Sequence, residues 1–350
     1  MNNKTELEVS IIIPILNERE HIEKCVESVI NSTDGISDME LILVDGGSDD
    51  GTLVILSGLS KKHSFIKVLH NEKRMIGAGI NIGINNSKGK YIVRLDAHAI
   101  FPTGYINKLL EAIEAADQEV VNIGGALSTL PSEDDLIGNS IAIALSSRVG
   151  VGNSPFRVGK INESKFVSTV PFGIYRREVF KELGLFNENV PRSEDLELSQ
   201  RIINSGRKIL MIPDVSATYF SRGSISSFIK QQFDNGRCVT KEHRDTVSFY
   251  KIRHIIPLLF VLYLMILSIF QLDFAIGPNN TLDLIISLPF YAYCLIIFSM
   301  GLFHMLKELK LLYFLSIPFA LLCLHLSYGI GSLYGIMQII FPKLPTKSVR

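Results

Sequence analysis

The 350-residue chain contains no tryptophan. It has only four cysteines, Cys25, Cys238, Cys294 and Cys323, and none lies at metal-ligand spacing from another. That scarcity excludes a disulfide framework and fits a reducing compartment. Neither sign of charge is in excess. The 35 Lys and Arg residues face 35 Asp and Glu residues, which excludes a strongly basic nucleic-acid binder. With 47% hydrophobic and 20% charged residues, the chain is too apolar to stay disordered. Residues 1–8 are polar and lack the apolar core of a secretory signal, so the N-terminal part is expected in the cytoplasm.

The balanced charge hides a split. The last hundred residues carry seven basic and three acidic side chains, or +4, which leaves −4 for the first 250. A mildly acidic part is thus followed by an apolar, basic-flanked part. Residues 255–272, 284–303 and 311–341 contain no Asp, Glu, Lys or Arg, and His325 is the one ionisable histidine among them. A helix needs about 20 apolar residues to cross about 30 Å of hydrocarbon, so these are three candidate membrane segments. Buried core helices are the alternative. Loop 273–283 has two acids and no base, and loop 304–310 carries Lys307 and Lys310, which predicts a cytoplasmic N-terminal domain. The tail residues Lys343, Lys347 and Arg350 conflict with this if the third segment crosses once. Pro318, Gly329, Gly331 and Gly335 offer places where that segment bends or re-enters.

The first part alternates strand and helix patterns. Strands are predicted at residues 9–15, 41–44, 66–69, 91–95 and 120–123, with helices at 18–30, 52–59 and 105–116. This is an α/β class with a largely parallel sheet flanked by helices. Ligands of such sheets bind beyond the carboxyl ends of the strands. The polar, glycine-rich stretches fall at those ends, at Pro14 to Glu18, Asp45 to Gly51 and Asp96 to His98. Gly77-Ala-Gly79-Ile-Asn81-Ile-Gly83 does not have dinucleotide spacing and follows no strand directly. Its glycines suit close helix packing or backbone approach to a phosphate.

Several side chains have the chemistry for a site. Asp96 and His98, two apart at a strand end, can share a cation that acts as a Lewis acid. An imidazole in the set shifts the preference from Mg²⁺ toward Mn²⁺. A surface turn with a solvated histidine is the alternative. Ser193-Glu194-Asp195 opens a helical pattern, with Ser193 as a possible N-cap. The acids are then either a general base facing a cleft or compensation of the helix dipole, worth about 0.3–1 kcal/mol. Arg74, just before the glycines, can pair with phosphate or lie in a solvated charged loop. Residues 224–232 carry an amphipathic helical stripe that suits a membrane interface or a covering helix.

Taken together these motifs resemble glycosyltransferase family 2, with the GT-A nucleotide-sugar fold. The resemblance covers residues 10–237. It rests on Ser10-Ile-Ile-Ile-Pro14-Ile-Leu-Asn17-Glu18, on Leu43-Val-Asp45-Gly-Gly-Ser48-Asp49-Asp-Gly51-Thr52, on Arg94-Leu-Asp96-Ala-His98, and on Gly184-Leu-Phe-Asn-Glu188 followed by Arg192-Ser-Glu194-Asp195. His98 departs from the usual pair of carboxylates and is similar to the succinoglycan-type exopolysaccharide glucosyltransferases, which also carry C-terminal apolar segments. The resemblance implies a cytoplasmic GT-A domain over residues 1–240 and a membrane domain over 241–350. It implies a nucleotide-sugar site at Pro14, Asn17, Glu18, Asp45, Ser48, Asp49, Arg74 and Gly77, with Asp45 on the nucleobase. Asp96 and His98 would hold a divalent cation, Mn²⁺ or Mg²⁺. Asp195 would be the base with Glu194 beside it, and Phe172 and Gly173 would lie at the acceptor side.

The implied reaction moves one sugar, from a UDP-linked hexose donor, to a polyprenyl-diphosphate-linked saccharide at the plasma membrane, with inversion, in exopolysaccharide or cell-surface glycan synthesis. A polyprenyl-phosphate sugar synthase, a processive polysaccharide synthase and a non-catalytic membrane sensor of sugar nucleotides are the rivals. The absent tryptophan bears on the second of these. Processive members carry Gln-x-x-Arg-Trp on the interfacial helix. The corresponding stretch here, Gln231 to Cys238, has neither that spacing nor the Trp. Single-sugar transfer is therefore expected.

Overall fold

A computed structural model describes residues 7–158, 162–190, 192–242, 252–269 and 281–342. The chain forms two compact units, one of Met1–Ser128 with Pro155–Phe220 and the other of Thr129–Ser154 with Ser221–Arg350. The sequence-based division falls after residue 240. The compact units divide differently, because a helical excursion at 129–154 groups with the C-terminal helices.

In chain order the elements are β1 (Val9–Ile15), α1 (Ile22–Ser32), β2 (Met39–Asp45), α2 (Thr52–Lys62), β3 (Ile66–His70), α3 (Ile76–Asn85), β4 (Tyr91–Arg94), β5 (Ala99–Ile100), α4 (Tyr105–Ala115), β6 (Val120–Leu130), α5 (Leu136–Ser146), α6 (Arg148–Val151), β7 (Lys165–Phe166), β8 (Ile174–Arg176), α7 (Glu178–Glu182), α8 (Glu194–Asn204), β9 (Lys208–Phe220), α9 (Ile225–Glu242), α10 (Ile252–Ile269), α11 (Thr281–Glu308) and α12 (Tyr313–Ile340). The sheet order is β3-β2-β1-β4-β8-β6-β9-β5, with β7 beside β9. The half made of β3, β2, β1 and β4 is parallel. Beyond β4 the pairings β4-β8, β6-β8, β5-β9 and β7-β9 are antiparallel, so the sheet is mixed.

The parallel strands read as unbroken apolar runs because helices cover both faces. Ile11, Ile13, Leu41, Leu43 and Val93 enter one core with α1 and α4 residues. Their neighbours in sequence, Ile12, Ile42, Val44 and Ile92, enter the other with α3 and α8 residues. Each such side chain contributes about 1.5–3 kcal/mol by leaving water. α1 buries Ile22, Cys25, Val26 and Val29, the i, i+3, i+4, i+7 stripe of an amphipathic helix. α3 instead approaches β1 through glycines. A Cβ on Gly83 would overlap the Ile12 side chain, and one on Gly79 would stand 3.4 Å from Pro14 Cβ. The glycine series therefore serves close packing of α3 on the sheet.

The second unit has its own core, in which Ile141 and Leu145 of α5, Phe228 of α9, Ile297 of α11, and Tyr313, Ile317, Leu321 and Leu324 of α12 meet. α12 is one continuous helix of 28 residues. Its glycines are contact points and do not bend it. A Cβ on Gly331 would overlap the Phe233 carbonyl of α9, and one on Gly329 the Pro257 carbonyl of α10. His325 is held by the Tyr293 hydroxyl at 3.0 Å and the Val149 carbonyl at 3.1 Å. At 1.5 Å per residue the 28-residue helices α11 and α12 are about 42 Å long. Among the described residues these two are long and apolar enough to cross a membrane, and α10 is a shorter apolar helix. α11 leaves Ile285, Leu288, Leu295, Phe303 and Leu306 more than half exposed, far more apolar surface than a water-facing helix normally shows. Most of loop 273–283 and the residues Lys343, Lys347 and Arg350 lie outside the described residues.

Candidate active site

The carboxyl ends of β1, β2, β3 and β4 form one rim, because Ile15 pairs with Asp45, Asp45 with His70, and Ile12 with Arg94. The loops leaving β1 and β2 are tied to each other. The Asn17 N–H donates to Ser48 Oγ at 2.8 Å, and Asn17 Oδ1 accepts from the Asp49 N–H at 3.0 Å. The Glu18 N–H donates to Thr52 Oγ1 at 3.0 Å, and the Arg19 N–H to Asp50 Oδ2 at 3.1 Å. Asp45 organises its own loop. Its carboxylate accepts from the Gly47 N–H at 2.8 Å, the Ser48 N–H at 3.1 Å and the Ser48 hydroxyl at 2.6 Å. This occupies most of a group expected on a nucleobase. Arg74 closes the loop from the β3 side, donating to the carbonyls of Gly46 at 3.0 Å and Gly47 at 2.7 Å. Pro14 lies half-buried beneath, against Gly79. Gly77 faces the Asn187 carbonyl, where a Cβ would come to 3.1 Å.

A second cluster begins at the end of β4. Arg94 is 7% exposed. Its Nη2 donates to Glu194 Oε1 at 2.9 Å and forms an ion pair with Asp96 Oδ1 at 3.0 Å. One guanidinium thus joins the loop after β4 to the first turn of α8. Burial raises the Glu194 and Asp195 carboxyls above the usual range; the Arg94 charge opposes this, and Asp96 adds to it. Glu194 is 3% exposed and held on Arg94, whereas Asp195 is only half-buried and accepts from the Leu196 N–H at 2.9 Å. Ser193 precedes α8 as expected but does not cap it. Its φ of 65° is left-handed and its side chain makes no capping bond.

Glu18, expected in the nucleotide-sugar site, bonds His98 Nδ1 at 3.0 Å. Burial disfavours a charged His98, but the Glu18 hydrogen bond and the Asp96 charge outweigh it and lift its pKa to about 9. If an incoming cation displaces the Nε2 proton, the ring keeps its Nδ1–H on Glu18 and Nε2 is free to ligate, the arrangement that orients a metal-ligating histidine. Among the described residues no three His, Cys, Asp or Glu side chains form a cage for a metal ion. A cation shared with substrate phosphates needs only one or two protein donors, so Asp96 and His98 fit such an ion.

The acceptor-side candidates are mostly interior. Phe172 is 3% exposed and packs edge-on against Phe101 at 5.5 Å, while its carbonyl accepts from the Tyr105 hydroxyl at 3.2 Å. A Cβ on Gly173 would overlap Asn122 Oδ1, and the Gly173 carbonyl accepts from the Arg94 N–H at 3.1 Å. This segment therefore positions β4 through its backbone. Among the described residues six non-glycine residues have positive φ, and Asn17, Arg74, Phe172 and Ser193 are four of them. Such backbone costs of order 1–3 kcal/mol each and concentrates at functional sites. Sequence reading missed the link made by Arg94.

Comparison with known proteins identifies the family and the fold. The Glycosyl transferase family 2 profile matches residues 10–184. A Methanococcus voltae protein, dolichyl N-acetyl-alpha-D-glucosaminyl phosphate 3-beta-D-2,3-diacetamido-2,3-dideoxy-beta-D-glucuronosyltransferase, is 31% identical over 231 residues, which is 65% of this chain and 71% of that protein. The succinoglycan biosynthesis protein ExoA of Rhizobium meliloti is 29% identical over 250 residues, covering 71% and 74%. The mannosyltransferase PcManGT of Pyrobaculum calidifontis, solved with GDP-Man and Mn²⁺, superposes over 93% of this chain and 87% of its own. The TM-score is 0.57 at 17% identity, which shows a shared fold.

Proposed function

From the premise that this chain belongs to glycosyltransferase family 2, we propose that it is a membrane-anchored, inverting enzyme that moves one sugar from a nucleoside-diphosphate sugar to a lipid-linked saccharide. The observation that carries this reading is the Arg94 bridge, which ties the candidate cation loop at Asp96 to the acid pair that opens α8. In the reaction, Asp195 takes the proton of an acceptor hydroxyl. That oxygen attacks the anomeric carbon as the bond to the donor's diphosphate oxygen breaks, and the electron pair leaves with the nucleoside diphosphate. One in-line displacement inverts the configuration. Glu194 stays on Arg94 and holds α8 in register. Asp45, Ser48 and Asn17 shape the nucleotide loop, Asp49, Pro14 and Gly77 border it, and Arg74 keeps it closed. Asp96 and His98 would hold Mn²⁺ or Mg²⁺, which supplies charge neutralisation at the leaving diphosphate. PcManGT shares the fold and was solved with Mn²⁺.

A lipid-linked acceptor is supported by the name of the Methanococcus relative, whose acceptor is a dolichyl-phosphate-linked sugar. The name of ExoA supports a role in exopolysaccharide or cell-surface glycan synthesis. The apolar exposure of α11 supports a plasma-membrane location, with residues 241–350 in the bilayer in several passes and residues 1–240 in the cytoplasm. UDP-hexose is the proposed donor. The test is a panel of nucleotide sugars incubated with purified membranes and lipid extract, with products read by mass spectrometry. A product one hexose heavier than a lipid-linked saccharide supports the reading. Transfer to bare polyprenyl phosphate would make the enzyme a polyprenyl-phosphate sugar synthase, and no transfer from any donor would refute it.

A further inference from the structure

Most arginines of the catalytic unit are spoken for. Arg176 donates to the carbonyls of Val120, Ile113 and Ala116, and Arg201 donates to Glu197 and to three backbone carbonyls. Arg74 and Arg94 have the partners described above. Arg157 differs. Its Nη1 is buried without a hydrogen-bond partner, as the Nε of Arg94 is, but unlike Arg94 it has no carboxylate paired with it among the described residues. Its guanidinium lies over the Tyr219 ring, 5.3 Å from the centroid, and 5.7 Å from that of Phe156. Its position is set from the backbone, since the neighbouring Phe156 carbonyl accepts from the Leu127 N–H at 2.7 Å.

The surroundings say what would complete it. Tyr219 also packs against His98, edge-on at 5.6 Å. Arg157 is thus one aromatic ring away from the candidate cation ligand, and it also feels the charge of Asp195. Burial pushes the guanidinium pKa down while Tyr219 and Asp195 push it up. Arginine nonetheless stays charged in proteins, and its planar fork suits phosphate oxygens. A half-buried guanidinium with no anionic partner among the described residues favours the arrival of an anion. Beside the ring that packs against the candidate cation ligand His98, that anion is the leaving group.

We propose that Arg157, held on the Tyr219 ring, receives the diphosphate of the departing nucleoside diphosphate. This rests on the nucleotide-sugar reading of the same site. As the anomeric carbon–oxygen bond breaks, the electron pair passes to the diphosphate oxygen. The Arg157 N–H groups then bind the charge that develops there, and the acceptor proton resides on Asp195. Preorganised donors at such a point act mainly on the transition state.

The experiment is calorimetric titration of the full-length protein in detergent with Mn²⁺, using UDP, UMP, GDP and GMP as probes. Wild-type protein binds one diphosphate more tightly than its monophosphate. In Arg157→Gln that diphosphate affinity falls roughly tenfold to hundredfold, as expected for a lost charge-assisted hydrogen bond, while monophosphate affinity is unchanged. Arg157→Lys keeps the charge without the fork and loses less, and it decides the matter if the glutamine variant does not fold. Steady-state rates separate the two sources of diphosphate: kcat and donor KM move, and acceptor KM does not. Equal affinity of wild type and both variants for the diphosphate would overturn the role of Arg157 alone. A change confined to acceptor KM would overturn it in favour of the lipid diphosphate. Failure of the wild type to bind any of the four probes would overturn the nucleotide reading beneath it.

Discussion

Replacing Arg94 with Gln tests the link on which the site depends. Arg94 is 7% exposed and holds Asp96 and Glu194 at 3.0 and 2.9 Å. The substitution leaves their two carboxylates and that of Asp195 facing one another without their cation. Removing one partner of a buried ion pair costs about 3–5 kcal/mol. At about 2–4 °C per kcal/mol for a unit of this size, the apparent Tm falls by roughly 6–20 °C. The loss depends on pH. Glu194 and Asp195 already titrate above the usual carboxylate range, chiefly because they are buried. The folded state therefore binds more protons than the unfolded state between the two values, and stability falls as pH rises through that window. Without Arg94 the folded values climb further, so the variant is hurt most at pH 8 and least near pH 5, where protonation relieves the repulsion. Because the chain has no Trp, the melt is followed by far-ultraviolet circular dichroism, in EDTA, at both pH values. A variant that melts like wild type at pH 8 refutes the reasoning. So does a loss that is as large at pH 5.

Asp195→Asn is expected to lower kcat/KM about 10²–10⁴-fold, the usual worth of a general base, with nucleotide affinity and melting preserved; near-normal turnover would remove the assignment. The acid limb of kcat/KM in the wild type is expected above the ordinary aspartate value of about 3.9, since activity is lost as pH falls through the raised Asp195 value; a limb at or below 4 contradicts the burial argument. Gly83→Ala should destabilise by about 1–3 kcal/mol through overlap with Ile12. Gly58→Ala in the interior of α2, where nothing lies within 4 Å, should stabilise by about 0.5–1 kcal/mol; urea melts of the two variants moving the same way would count against the packing account of α3. Transfer activity should disappear in EDTA and return with Mn²⁺, and activity that survives chelation would exclude Asp96 and His98 as cation ligands.

Much of the fold was legible because burial writes itself into period. The apolar runs at β1, β2 and β4, the stripe at Ile22, Cys25, Val26 and Val29, and the long uncharged segments at the C-terminus each follow from one face, or both, leaving water. Local motifs likewise marked the rim of the candidate site, since Asn17, Asp45, Ser48, Asp96 and Asp195 all stand at strand or helix ends. The antiparallel half was harder to read. β5, β7 and β8 are only two or three residues long, too short for any periodicity, and their place is set by partners far away in sequence. Tertiary structure alone decided that Arg94 meets Glu194, 100 positions away, that Glu18 serves His98, that the glycines of α12 serve packing, and that Arg157 lies over Tyr219 with no carboxylate partner among the described residues. Those facts depend on which side chains meet across the fold. Composition and spacing determine what each segment must bury, and only the folded chain determines which charge each buried charge will face.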